Sequence, residues 1–395
     1  MNEPFGALQT IKVLDLTQML AGPYGTQMLA DHGAEVIKIE SPVGDMSRNA
    51  SPPLKTDKTG SHAGYYQSIN RNKKSVILDL KSDEGKVHFF ELLKTADVVV
   101  ENFRVGVMDK LGLSFDVLKK ANPKVVVASL SGFGHPRTGE SPYAKWPAFD
   151  VVAQAMGGMM GITGPSTNQP TKIGPGLGDI VPGMFLAFGI VSAVFRARET
   201  GEGQFVDVSM VDSVLAVCER IVHQHSYQGL NPGPQGNHHP FMVPFGMFPA
   251  KDGWISVGAP KDEMFVFLCA AIGCHEVADE ARFGDHHLRA KNRDELIEIL
   301  SVQTAKFTKA ELEEKLGGKI PYGPVLQVEE IFSNPHFEAR EMLVEIEQPG
   351  DTPRKVAGVP VKMTGTPGGI KKRAPFKGEH NEEILGTLKA TKKTA

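Results

Sequence analysis

Val13-Leu-Asp-Leu-Thr-Gln-Met-Leu-Ala-Gly-Pro23, continued by Gln27-Met-Leu-Ala-Asp-His-Gly-Ala-Glu-Val-Ile-Lys-Ile-Glu40, is the stretch that decides the fold. Residues 12–16 and 35–39 are short apolar runs closed by polar or turn residues, as buried strands are. Residues 25–31, behind Pro23, carry a helical pattern between them. The alternation continues, with strand-like runs at 76–80, 98–100 and 125–129 and helical patterns at 84–94, behind Ser82, and at 115–120. This is the grammar of a parallel α/β sheet covered on both faces. Ligands of such sheets bind at the carboxyl ends of the strands, so the loops after Leu16, Glu40 and Val100 are the predicted binding loops.

A parallel sheet invites a nicotinamide cofactor, and Glu40 mimics the acid that holds a ribose in dinucleotide folds. The first turn argues against it. It reads Ala21-Gly-Pro-Tyr-Gly25 rather than GxGxxG, with Pro23 and Tyr24 where a backbone must approach pyrophosphate.

The chemistry points to Gly174-Pro-Gly-Leu-Gly-Asp179, which runs into Ile180-Val-Pro-Gly-Met-Phe-Leu-Ala-Phe-Gly189. Asp179 reads most simply as the N-cap of that apolar helix. The same place serves another purpose. A helix N-terminus favours an ionised carboxylate, flanking glycines admit a bulky substrate, and such an aspartate can act as a nucleophile.

Composition sets looser bounds. The chain has 395 residues, enough for two domains or one large one, and its net charge of −3 implies neither nucleic acid nor a membrane surface as partner. Cys218, Cys269 and Cys274 are too few for a disulfide framework and predict a reducing, cytoplasmic setting. No charged leader precedes an apolar run, and the longest apolar stretch, residues 180–195, is interrupted by Pro182 and Gly183. Beyond Asp212, Asn231-Pro-Gly-Pro-Gln-Gly-Asn-His-His-Pro240 reads as a turn-laden connection or flap, and residues 244–257 as a hairpin around Lys251. Helical patterns at 263–271 and 293–303 then build a smaller unit. A metal site from His223, His225, His238 and His239 is disfavoured, since no carboxylate or thiolate accompanies them.

Further blocks complete the pattern: Asn70-Arg-Asn-Lys-Lys-Ser-Val-Ile-Leu-Asp-Leu-Lys81, Asp97-Val-Val-Val-Glu-Asn-Phe-Arg-Val-Gly106, Thr200-Gly-Glu-Gly-Gln-Phe-Val-Asp-Val-Ser-Met210, and Ala374-Pro-Phe-Lys-Gly-Glu-His380. With the blocks quoted above, their order and spacing resemble the family III CoA transferases, the formyl-CoA and carnitine CoA transferase group, from end to end. The resemblance implies a Rossmann-like large domain made of both chain ends, a smaller α+β middle domain, and an interlocked homodimer. The expected divisions are 1–212, a linker and flap at 213–240, a small domain at 241–328, and a return at 329–395. It implies coenzyme A and acyl-CoA as substrates, with no tightly bound cofactor and no metal. It makes Asp179 the residue that carries first the acyl group and then CoA, passing it to a small carboxylic acid. For CoA, the resemblance nominates Met19 and Ala21 through their backbones, Lys73 or Lys74 near the nucleotide, Asn102, Phe103 and Arg104 beside the adenosine and phosphates, and Lys110 against phosphate.

Departures from the family matter. Formyl-CoA relatives carry a Gln near the position of Leu20 and an Arg near that of Ser41, so formyl is not the expected acyl group. Gly236 or Asn237 is the expected backbone oxyanion donor, with His238 a candidate at the acyl site. The racemase branch of the same fold uses a second proton-transfer residue, a His, where Ala148-Phe-Asp-Val-Val-Ala-Gln154 places Phe149. Phenylalanine cannot move a proton, so racemase or isomerase chemistry is the weaker alternative, and a non-catalytic CoA-ester-binding protein the other. Asp150 is left either to orient Asp179 or to make a structural hydrogen bond. Carnitine-like, dicarboxylic and aromatic acids all stay open, as does transfer within one molecule.

Overall fold

In the computed structural model, residues 5–52, 63–349 and 351–393 are described. The chain divides into two compact units. The larger is built from the described parts of Met1–Met159, Lys172–Leu230 and Pro335–Ala395, and the smaller from Met160–Thr171 and Asn231–Asn334.

Six parallel strands form the sheet of the larger unit: β1 (Lys12–Asp15), β2 (Glu35–Glu40), β3 (Lys74–Ile77), β4 (Val98–Glu101), β5 (Val126–Ser131) and β6 (Phe205–Ser209). Their order is β3-β2-β1-β4-β5-β6. β4 and β5 are buried along their whole length, as runs such as Val98-Val-Val100 and Val125-Val-Val127 require of a sheet covered on both faces. The sequence reading anticipates five of these strands. The sixth, Phe205-Val-Asp-Val-Ser209, alternates apolar and polar residues at the sheet edge.

The helix after β1 spans Ala21–Asp31, four residues earlier than its sequence pattern, because Pro23 fits the first turn, where an N–H has no partner to lose. It crosses the long Leu177–Thr200 helix at two glycines. A Cβ on Gly25 would lie 2.6 Å from the Gly183 carbonyl oxygen, and one on Gly183 equally close to that of Ala21. The crossing therefore needs glycine on both helices, and it brings the two helix starts together. The Leu177–Thr200 helix continues through Pro182 and is long and apolar enough, by length and composition, to cross a membrane. Leu186, Ile190 and Val194 on one of its faces are buried, and its contacts include β5 and β6.

The smaller unit has a three-stranded antiparallel sheet, β7 (Phe245–Ala250), β8 (Gly253–Gly258) and β9 (Tyr322–Pro324), in the order β7-β8-β9. Its core gathers Phe248, Ile255 and Val257 with Phe265, Leu296 and Leu312 from surrounding helices. Within the span expected as linker and flap, 213–240, lie the end of the Met210–Val217 helix and the Glu219–Gln228 helix, both in the larger unit. A final hairpin in the larger unit pairs β10 (Leu343–Gln348) with β11 (Asp351–Ala357).

Candidate active site

The strand order reverses direction between β1 and β4, the topological switch point at which open α/β sheets hold ligands. A cavity of about 300 Å³ lies there. Residues 18–21 after β1 and 102–105 from the loop after β4 line it, with Ser131 at the end of β5, Gly132 just beyond, Met210 beyond β6, and Asp179. Met19, Ala21, Asn102, Phe103 and Arg104 thus share one cavity with Asp179. Among the described residues, the Arg104 guanidinium has no hydrogen-bond or ion-pair partner, and the residue is exposed.

The carboxylate at the helix start is not a cap. Gly176 holds the N-cap position, and Asp179 is the third residue of the helix. The capping role falls to Asp150 instead. Its Oδ1 accepts the Gly178 N–H at 2.8 Å and the Gln154 Nε2 at 2.8 Å. Gln154 Oε1 in turn accepts the Ile173 N–H at 3.0 Å, so one pair of side chains holds the loop entering the helix. Gly178 has to be glycine here, because a Cβ would meet the Asp150 carbonyl oxygen at 2.4 Å.

Asp179 is therefore free of structural duty. Among the described residues none hydrogen-bonds its carboxylate. Burial, and then the negative charge of Asp150, push its carboxyl up to about 7. A partly desolvated carboxylate with no donors is a stronger nucleophile than a solvated one, once ionised. Tyr65 stands in the same field: burial, then Asp179, Asp45 and Asp150, push its phenol up to about 12. No sequence pattern had pointed to Tyr65; only its place beside the carboxylates reveals it.

The loop after β1 is held in shape by buried charges. Met19 adopts φ +66°, a left-handed conformation costly for a side chain, and its N–H donates to Asp45 Oδ1 at 3.2 Å. Asp45 pairs with Lys38 at 2.7 Å, and Lys38 also donates to the Thr17 carbonyl oxygen at 2.7 Å. From the other side, Asn102 accepts the Gln18 N–H and donates to the Gln18 carbonyl oxygen, both at 2.8 Å. Asn102 thus uses its amide to join the two loops while it lines the cavity. Glu40 is likewise consumed, by Arg48 at 2.6 Å, by the Ser75 hydroxyl and by the Asp45 N–H. It has no oxygen to spare for a ribose.

Three expected CoA cations stand elsewhere. Lys73 is fully buried; its ammonium donates to Asp15, the Pro23 carbonyl oxygen, Thr26 and Asn70, all within 3.0 Å. It has no surface for a nucleotide. Lys74, at the amino end of β3, pairs with Glu35 and Glu383 at 2.8 Å, away from the carboxyl ends where the cavity opens. Lys110 is exposed and does not line the cavity.

Gly236, Asn237 and His238 belong to the smaller unit. The Gly236 N–H donates to the Gly164 carbonyl oxygen at 2.9 Å, so it is not an open oxyanion donor, and the Asn237 carbonyl accepts from Met247. His238 bridges to Gly246 and stacks edge-on against Phe248. Burial and then Arg293 lower its basicity, favouring the neutral ring. Open backbone donors in the larger unit lie at the first turn of the Ala21–Asp31 helix. Among the described residues nothing accepts from the Ala21 or Gly22 N–H groups. The described residues hold no group of three or more His, Cys, Asp or Glu that could bind a metal.

The larger unit thus has a parallel sheet with a cavity at its switch point, and Asp179 and Arg104 both line that cavity. Comparison with known proteins makes the class specific: the chain belongs to CoA-transferase family III, whose profile matches residues 8–381. It is similar to the succinyl-CoA:mesaconate CoA-transferase of Haloarcula hispanica, at 44% identity over 96% of each chain. It is 36% identical to the succinate–glutarate CoA-transferase of Agrobacterium fabrum, over 98% of this chain and 97% of that one. A crystal structure of a CaiB/BaiF family protein from Brucella suis superposes with a TM-score of 0.86 at 33% identity, covering 98% of this chain and all of that one.

Proposed function

We propose that this CoA-transferase moves CoA from a dicarboxylic acyl-CoA to a free dicarboxylic acid, with Asp179 as the carrier. The carrying observation is a carboxylate without hydrogen-bond donors, at a helix start, in the switch-point cavity. The acid class is supported by the succinyl-CoA, mesaconate and glutarate in the names of the similar enzymes.

In the proposed cycle, the Asp179 carboxylate attacks the donor thioester carbonyl; the C–S bond breaks and CoA leaves as thiolate, giving a mixed anhydride. The thiolate attacks the aspartyl carbonyl of the anhydride and expels the donor acid, leaving an aspartyl-CoA thioester. The acceptor carboxylate attacks that thioester and releases CoA thiolate, which attacks the acceptor acyl carbonyl and frees Asp179. Each activated carbonyl is made from the last, so the cycle consumes no ATP. The Ala21 and Gly22 N–H groups are suited to stabilise the oxyanions, a contribution commonly worth a few kcal/mol. Arg104 suits the CoA phosphates, with its planar fork of donors.

A racemase would need a second proton-transfer group, and Phe149, which lines the cavity, cannot serve. We also propose that two chains associate. Met184, Phe188, Val191 and Phe195 are exposed along one face of the Leu177–Thr200 helix, an apolar row that a second copy would cover. A reducing, cytoplasmic setting suits the three free cysteines.

The test is the intact mass after brief mixing with succinyl-CoA. An acyl or CoA adduct on Asp179, absent from Asp179→Ala, is the expected result. Tight binding of the thioester with no adduct in the wild-type chain would leave a binding protein and end the transfer reading.

A further inference from the structure

A dicarboxylic acid faces a charge problem at this site. Asp150 and Asp179 are two carboxylates at one helix start, and such an acid brings two more negative charges toward them. Like charges at short range disfavour the approach unless a cation offsets them. Among the described residues, one cation pairs with Asp150. Lys172 Nζ lies 3.8 Å from Asp150 Oδ2 and donates to the carbonyl oxygens of Ile173 at 2.8 Å and Gly174 at 3.2 Å. The side chain is 42% exposed, so its charge is reachable from solvent.

Distances suit a role in recognition. Asp150 Oδ1 accepts the Gly178 N–H at 2.8 Å, and the other oxygen meets Lys172. The ammonium is then at most about 9 Å from the amide preceding the nucleophile, allowing about 2 Å between carboxylate oxygens. A four- or five-carbon dicarboxylate separates its carboxyl carbons by about 4 to 5 Å. A charge-assisted contact adds about 3 Å. These spans are of the same order, so an acid whose near carboxylate meets Asp179 can direct its far one toward Lys172.

We propose that Lys172 is a specificity-determining residue that takes the distal carboxylate of a dicarboxylic acid while the near carboxylate reacts at Asp179. This assignment rests on the transfer reading given above. The rearrangement it needs is small. The ion pair with Asp150 is long and partly exposed, hence weak, and two neutral carbonyl acceptors are exchanged for a charged one. The same cation offsets the negative field of Asp150 as the dianion arrives.

Acceptor kcat/KM for succinate and for butyrate, measured with one common thioester donor, tests it in wild type, Lys172→Met and Lys172→Arg. The preference for succinate over butyrate is expected to fall about tenfold or more in Lys172→Met, the size of a lost charge-assisted contact. Lys172→Arg is expected to keep most of it. An equal loss for both acids would make Lys172 a loop-holding residue and overturn the proposal, as would an unchanged preference. The adduct on Asp179 is read in parallel. An adduct with an unaltered acid preference sinks the Lys172 role alone. Failure of even the wild-type chain to form one sinks the transfer reading and this role with it.

Discussion

Asp15 and Asp179 are both acids of the larger unit, and their surroundings could hardly differ more. Asp15 is fully buried, with Lys73 at 2.9 Å, two contacts from Thr17 and one from Thr26. Burial alone would raise its carboxyl, but Lys73 and Lys38 together hold it well below the usual carboxylate range. Asp179 is less deeply buried yet has no donor among the described residues, and a second carboxylate stands beside it. Burial by itself therefore does not make an acid reactive. What distinguishes the two is whether the donors that would satisfy the charge are present. The fully served carboxylate holds the binding loop's foundation; the unserved one is left for chemistry.

The sharpest break of this comparison is Asp179→Asn. It should lower kcat/KM for CoA transfer by at least about four orders of magnitude, above about 5 kcal/mol of transition-state stabilisation, since the proposed carrier is lost. It should also bear on stability with a definite sign. The native carboxyl holds its proton up to about 7, against an ordinary value of 3.8, so wild-type stability declines as pH rises between these values. Thermal melts should accordingly show Asp179→Asn gaining on wild type from pH 4 to pH 8.

Asp15→Asn should do the reverse in kind, leaving Lys73 buried without its counter-charge. Removing one partner of a buried pair costs about 3–5 kcal/mol, readable as a lower urea midpoint. Gly183→Ala tests the crossing that brings the helix starts together. A Cβ at 2.6 Å from the Ala21 carbonyl oxygen must push the helices apart, at about 1–3 kcal/mol of stability. It should also raise KM for the thioester. A gentler probe is Asp150→Asn, which keeps an oxygen for the Gly178 N–H but removes the charge. The ascending limb of kcat/KM against pH, near 7 in the wild type, should move lower by about one unit. An unmoved limb would mean that burial alone sets the Asp179 proton.

Much of this was legible in the chain, for identifiable reasons. Runs such as Val98-Val-Val100 are too apolar for an edge, and alternation with helical patterns left a parallel sheet as the economical reading. The Asp179 segment stood out because glycines flank an acid before an apolar helix. Other features were hidden by the locality of sequence patterns. Asp179 looked like a cap because acids near helix starts often are; the true capping acceptor, Asp150, comes from another helix. Lys73 and Lys74 are neighbours, so an extended chain points them to opposite faces, but nothing local says which is inward. Nor could spacing reveal that Gly164 accepts the Gly236 N–H, or that Asn102 joins two loops.

The sequence by itself determined the parallel α/β architecture, membership of the CoA-transferase family, and Asp179 as the acid to watch. Those follow from periodicity and from residue types at fixed short spacings, which the chain carries locally. Tertiary structure alone decided how Asp179 is charged, which lysine is entombed, and which amides remain open. Desolvation and pairing depend on groups brought together from distant segments. Asp150 and Asp179 interact only because a loop, two helices and two glycines set them side by side.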